Sequence, residues 1–168
     1  IGLPARGDAM TDHRIDWQRE ARTGTAEAVL CDAKPPEQIA AIVATAQAEG
    51  RRLLLTRLDP DRAAVLPGGS ALDYDPQSRT AILGGHAPTR PGVGIVAAGT
   101  SDLGIAAEAA RTLAFHGLAA PIVADVGVAG LHRLLDRLGD LRRQRGLVAI
   151  AGLEGALFPV LAGLVGAP

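Results

Sequence analysis

The sequence predicts an α/β protein, with a small N-terminal α/β domain followed by a domain built on a parallel sheet. Three observations carry this. Val93–Val96 in VGIVA, Pro121–Val126 (PIVADV) and Gly146–Ala151 (GLVAIA) are apolar runs too short for helices, and each ends at a glycine-bearing turn, as buried strands do. Each turn is followed by apolar residues at helical spacing, and strand, turn and helix alternating in this way argue for parallel strands joined by right-handed crossovers. Aromatic residues make up only 2% of the chain, so the core must be built from Ala, Val, Leu and Ile, which suits close packing of helices on a sheet.

The N-terminal elements follow in order. Residues 1–12 contain Gly, Pro and Arg without periodicity and are set aside as a tag or disordered extension. The N-terminal domain is placed at residues 13–86. Asp16–Arg22 is a short polar helix anchored by Trp17, and Glu27–Cys31 a strand. Pro35 and Pro36 stand where a helix would start, and Ile39, Ile42, Val43 and Ala46 keep helical spacing until Gly50. Arg52–Arg57 reads as a buried strand, Pro60–Leu66 as a short helix, and Leu72–Tyr74 with Thr80–Leu83 as two strands around the turn DPQS. Gly84–Gly92 is a Gly/Pro-rich linker to the second domain, residues 92–168.

In that domain Thr100 or Ser101 is expected to cap the helix carrying Leu103, Ile105, Ala106, Ala109, Ala110 and Leu113. A second helix carries Leu131, Leu134, Leu135, Leu138 and Leu141. The last, ALFPVLAGLV, is apolar nearly all round, so Leu157, Phe158, Val160, Leu161 and Leu164 call for burial beyond one sheet face.

Composition bounds the function. The 168 residues allow one or two small domains, and the formal net charge of −1 gives no reason to expect nucleic acid. Lys34 is the only lysine, so the basic residues form no lysine patch. No apolar run reaches the roughly 18 residues of a membrane span, and a cytoplasmic protein is expected. Cys31 stands alone, without a disulfide or Cys-based metal framework, and reads as packing. His13, His86, His116 and His132 make no metal-binding pattern, so no metal site is assigned from spacing.

Chemistry is therefore sought in the three loops GTSD, DVGVAGLHR and GLEGAL, which a parallel sheet places at one carboxyl edge. Backbone N–H groups and the positive helix end make the first of them a receptor for a phosphate or carboxylate. Asp102 stands in the first helical turn, where it serves equally as a cap or as a functional carboxylate. Glu154 lies between Gly152 and Gly155 in an apolar segment, where it is either a used carboxylate or an ordinary exposed loop residue. Arg133 could meet a phosphate as a fork donor and His132 could carry a proton, although a lone His near a helix start is commonly structural. With Gly99, Thr100, Ser101, Asp125, Gly127, Gly152 and Gly155 these residues form the candidate pocket for an anionic, nucleotide-like small molecule.

AGTSDLGIAAEAA, DVGVAGLHRLL and AGLEGAL, together with CDAKPPEQ and LLLTR, resemble the LarB family of nickel-pincer cofactor biosynthesis. The C-terminal half of that family is similar to the aminoimidazole ribonucleotide carboxylase PurE, which implies a three-layer flavodoxin-like or Rossmann-like fold. The resemblance also implies carboxylation of the pyridinium ring of nicotinic acid adenine dinucleotide by CO2 or bicarbonate. Hydrolysis of the phosphoanhydride then gives the biscarboxylate mononucleotide and AMP, in a homo-octamer. Asp102 and Glu154 fall at the family's acidic active-site positions, and Thr100, Ser101 and His132 in its substrate-contacting loops. Two carboxylates acting in one such reaction imply different roles, with Asp102 near the phosphates, where magnesium would offset like-charge repulsion, and Glu154 in a drier loop suited to proton transfer at the ring. Family members continue past Gly166-Ala167-Pro168 into a segment whose Cys adds to the ring, so the chain is expected to be a truncated form lacking the carboxylation step. The competing readings are a PurE-type mutase acting on an aminoimidazole ribonucleotide, and a nucleotide-binding module without catalysis.

Overall fold

A computed structural model describes residues 15–152 and 154–168, so the extension expected at residues 1–12 lies outside the described residues. The chain divides into two compact units, one ending at Gly85 and the other beginning at His86, and it is α/β throughout.

In the first unit, strand β1 (Ala28–Leu30) pairs in parallel with β2 (Leu53–Thr56) through helix α2 (Pro36–Ala48). Strand β4 (Thr80–Leu83) runs antiparallel to β2, with β3 (Leu72–Asp75) outside it, giving the order β1-β2-β4-β3. Every residue of β2 and β4 is buried, which explains their continuous apolar character. Pro36 opens α2, where a missing N–H costs nothing, and the periodic set Ile39, Ile42, Val43 and Ala46 packs against Val29, Leu53, Leu55 and Leu83. The sequence expectation for α1 is shifted: it spans Arg19–Thr23, because the Asp16 carboxylate takes the Gln18 N–H and the Arg22 guanidinium and holds the preceding residues in a turn. Helix α3 is shorter than expected, at Pro60–Ala64.

In the second unit, β5 (Val93–Ala97) is the central strand of a parallel sheet of order β6-β5-β7, with β6 at Ile122–Val123 and β7 at Gly146–Ile150. Alternation along β5 sorts its side chains into two layers. Ile95 and Ala97 face Ala106, Ala109, Ala110 and Leu113 of α4 (Leu103–Phe115). Val96 joins Leu134 of α5 (Leu131–Asp136), Leu141 of α6 (Leu138–Leu141) and Leu157 and Leu161 of α7 (Leu157–Leu164). Helices thus cover both faces, the three-layer arrangement that the family resemblance implies.

Three expectations are corrected here. The second helix is broken at Arg137 (φ −102°, ψ 0°) into α5 and α6. The strand expected to reach Val126 stops at Val123, because Asp125 adopts a left-handed backbone (φ 59°) that ends pairing. The second half of the linker is bound to the unit that follows it, since Thr89 and Arg90 donate their N–H groups to the Gly117 carbonyl. Within α7 only Leu157 and Leu161 are buried, and Phe158 is 44% exposed. Among the described residues no helix is long and apolar enough to cross a membrane.

Candidate functional site

The chain leaves β5 into α4 on one face of the sheet and leaves β7 into α7 on the other. Divergence of this kind opens a crevice at the carboxyl ends of the strands. A cleft of about 300 Å³ occupies it. Its walls come from all three loops: Gly99, Ser101 and Asp102 after β5, Gly127 and Val128 after β6, and Gly152 and Glu154 after β7. Ala98, Ala151 and Leu157 supply apolar lining.

The first loop is not capped as the sequence suggests. Gly99, extended at φ −130° and ψ 169°, takes the N-cap position, and Thr100–Asp102 form one turn of 3-10 helix leading into α4 without a hydroxyl cap. The cap comes from the far side, since Gly99 N–H donates to Asp102 Oδ2 at 2.9 Å and Asp102 N–H donates to the Gly99 carbonyl at 3.2 Å. This is the returning half of a capping box. It directs the Asp102 carboxylate over the turn, while the first N–H groups of the helix keep no acceptor within the helix itself.

In the second loop, a Cβ at Gly127 would stand 2.9 Å from the Ala98 carbonyl oxygen, which Gly127 N–H already contacts at 2.8 Å. Only glycine lets the loops after β5 and β6 approach this closely. In the third, Gly155 sits at φ 65° with a Cβ position 2.9 Å from the Phe158 ring, so that turn also depends on glycine.

Of the residues singled out in the sequence, Gly99, Ser101, Asp102, Gly127, Gly152 and Glu154 meet around the cleft. The others do not line it. Thr100 is exposed beside the turn, His132 is exposed on α5, and Gly155 shapes the loop backbone. Arg133 is engaged by another candidate, donating from Nη1 to Asp125 Oδ2 at 2.6 Å. Sequence reasoning placed both in the site without seeing that they pair. The left-handed backbone at Asp125, which an Asp tolerates better than most residues, aims its carboxylate at Arg133. The dry surroundings expected for Glu154 are not found, because Glu154 is exposed. The apolar wall residue Ala98 went unnoticed in sequence, although it flanks a glycine turn, and Leu157 was read only as a residue of the apolar last helix.

Cys31 lies in the first unit and is fully buried, and burial pushes its thiol up to about 11. Such a thiol is a packing residue rather than a nucleophile.

With this geometry in view, comparison with known proteins is informative. Residues 8–85 match the LarB/PurE-like N-terminal domain. Over those residues the chain is similar to that family's N-terminal domain. Its match begins at Asp8, within the stretch set aside as an extension. The uncharacterised protein MJ0165 of Methanocaldococcus jannaschii is 44% identical to the chain over 78 residues, covering 45% of this chain and 30% of that protein. The chain thus spans under a third of the length of the curated relative it matches.

Proposed function

We propose that this chain acts in synthesis of the pyridinium-3,5-biscarboxylate mononucleotide, binding nicotinic acid adenine dinucleotide in the cleft at the carboxyl edge of the second unit. The observation that carries this is the convergence of three glycine loops, one helix N-terminus and two carboxylates on that cleft. The LarB/PurE-like N-terminal domain supplies the family context.

On this reading the N-terminal N–H groups of the Thr100–Phe115 helical segment receive the diphosphate, with the helix dipole adding to the attraction. The nicotinate ring then lies toward Gly152 and Glu154. Carboxylation needs a thiolate to add to the ring first and make the neighbouring carbon electron-rich; that carbon then bonds to CO2, gives its proton to Glu154, and the thiolate leaves as the ring regains aromaticity. In the second reaction water attacks a phosphorus of the anhydride and AMP leaves with the bridging oxygen. Cys31 is no candidate for addition to the ring, because it is buried and protonated in the other unit.

Magnesium fits this cleft in one respect. Asp102 binds Gly99 through Oδ2 only and Glu154 lines the same cleft, so one or two carboxylates are on hand, the protein share usual for magnesium held with substrate phosphates. Bound with the diphosphate, it would neutralise phosphate charge. Among the described residues no group of three or more His, Cys, Asp or Glu forms a protein-only metal cage.

Calorimetry on the 168-residue chain with nicotinic acid adenine dinucleotide and, separately, aminoimidazole ribonucleotide tests the reading. The expected result is tighter binding of the dinucleotide with AMP appearing in the mixture. Tighter binding of the ribonucleotide supports the PurE-type alternative. Dinucleotide binding without AMP supports a binding module.

A further inference from the structure

A second cavity opens at the opposite, amino-terminal edge of the same three-stranded sheet. It encloses about 230 Å³ and is bounded by Gly94, Pro121, Ile122, Arg137, Asp140 and Arg143, among others. Gly94 lies four residues before Ala98, so the two sites are separated by roughly 13 Å of extended strand.

The floor of this cavity is apolar and its rim is charged. Pro121 and Ile122 begin β6, and Ile122 is 36% exposed although it belongs to a strand of the core sheet. Gly94 keeps the floor low, because a Cβ there would stand 2.9 Å from the Gln144 side chain. At the rim two guanidinium groups converge on one carboxylate. Arg137 Nε donates to Asp140 Oδ2 at 3.0 Å, and Arg143 Nη2 donates to Asp140 Oδ1. The cluster carries two positive charges against one negative. Its remaining guanidinium N–H groups have no protein acceptor among the described residues. Arg137 also occupies the break between α5 and α6, so its position is fixed by the backbone that ends one helix and starts the next.

We propose that this cavity binds a small monoanionic carboxylate with an apolar body. The net single positive charge of the rim matches a monoanion, and the fork geometry of guanidinium favours a carboxylate that can take two N–H bonds at once. A phosphate dianion would bring two negative charges against Asp140 and leave the apolar floor uncovered. At about 30 Å³ for each water-sized atom group, the space holds on the order of eight non-hydrogen atoms, the size of a benzoate or a branched-chain acid. Both arginines are solvent-exposed, so binding is expected in the range of roughly 0.1 to 1 mM.

Benzoate, benzamide and inorganic phosphate, each titrated into the isotope-labelled 168-residue chain and followed by amide spectra, test the proposal. Benzoate is expected to shift Gly94, Ile122 and Arg137 and to saturate, with benzamide and phosphate each at least about tenfold weaker. In R137Q/R143Q benzoate binding falls at least tenfold while the spectrum stays that of the folded chain. I122S, which leaves both arginines in place, weakens benzoate severalfold by removing apolar floor. Equal binding of benzamide, tighter binding of phosphate, shifts confined to Gly99 and Gly127, or unchanged affinity in R137Q/R143Q each overturns the proposal.

Discussion

Asp102 accepts the Gly99 N–H through Oδ2 at 2.9 Å and returns its own N–H to the Gly99 carbonyl at 3.2 Å, closing the turn that forms one wall of the cleft. The carboxylate is thus a structural cap as well as a candidate ligand group, and substitution separates the two. Asp102→Asn keeps an acceptor oxygen and is expected to unfold within about 0.5 kcal/mol of the parent, whereas Asp102→Ala loses roughly 0.5 to 2 kcal/mol. Urea unfolding of the two variants checks this. Equal stability of all three proteins would mean that the cap contributes nothing.

Gly127→Ala tests the closeness of the first two loops. Its methyl group would meet a backbone carbonyl oxygen at 2.9 Å, an atom that cannot swing away. A loss of about 1 to 3 kcal/mol is expected, with altered amide signals at Ala98 and Gly99. Thermal unfolding unchanged from the parent would show that the loops have room to part.

Burial of Cys31 makes stability fall in alkali. Its thiol is raised from 9.0 to about 11, so between those values the unfolded chain gives up the proton that the folded chain keeps. The contribution is fully present below pH 9 and is lost as pH rises through 11. Cys31→Ser, or more gently Cys31→Ala, should flatten that part of the stability profile, by up to about 2 to 3 kcal/mol. Thiol reagents at pH 8 should likewise react only as fast as the chain unfolds.

Leu131, Leu135 and Phe158 of the second unit are exposed although large and apolar. Together with the apolar character of α7 they support the expectation of self-association, for which the family resemblance implies an octamer. Light scattering at micromolar concentration is expected to give an assembly larger than one chain, and a monodisperse monomer would contradict it.

How far the sequence could be read depended on how local the physics was. The buried strands β2, β4 and β5 and helix α2 were legible because period and turn chemistry act within a few residues, as in Pro36 opening α2 and Gly50 closing it. The convergence of GTSD, DVGVAGLHR and GLEGAL was also legible, since a parallel sheet puts all such loops at one edge. The break at Arg137 was not, because Leu134, Leu138 and Leu141 keep a helical rhythm across it. Nor was the Asp125–Arg133 pair, which depends on a left-handed residue that an Asp can adopt but does not announce. The cap on Gly99 was read one step short, because two hydroxyl residues stood nearer to the turn than the carboxylate that closes it.

The central claim is that the three-loop cleft is the nucleotide site, and locating bound nicotinic acid adenine dinucleotide tests it most directly. Titrated with magnesium into the isotope-labelled chain, the dinucleotide is predicted to give saturable amide shifts at Gly99, Ser101, Gly127 and Gly152, and Ser101→Glu is predicted to abolish them by placing a negative charge at the phosphate position. Shifts outside all three loops, or no saturable binding at millimolar dinucleotide, would contradict the account.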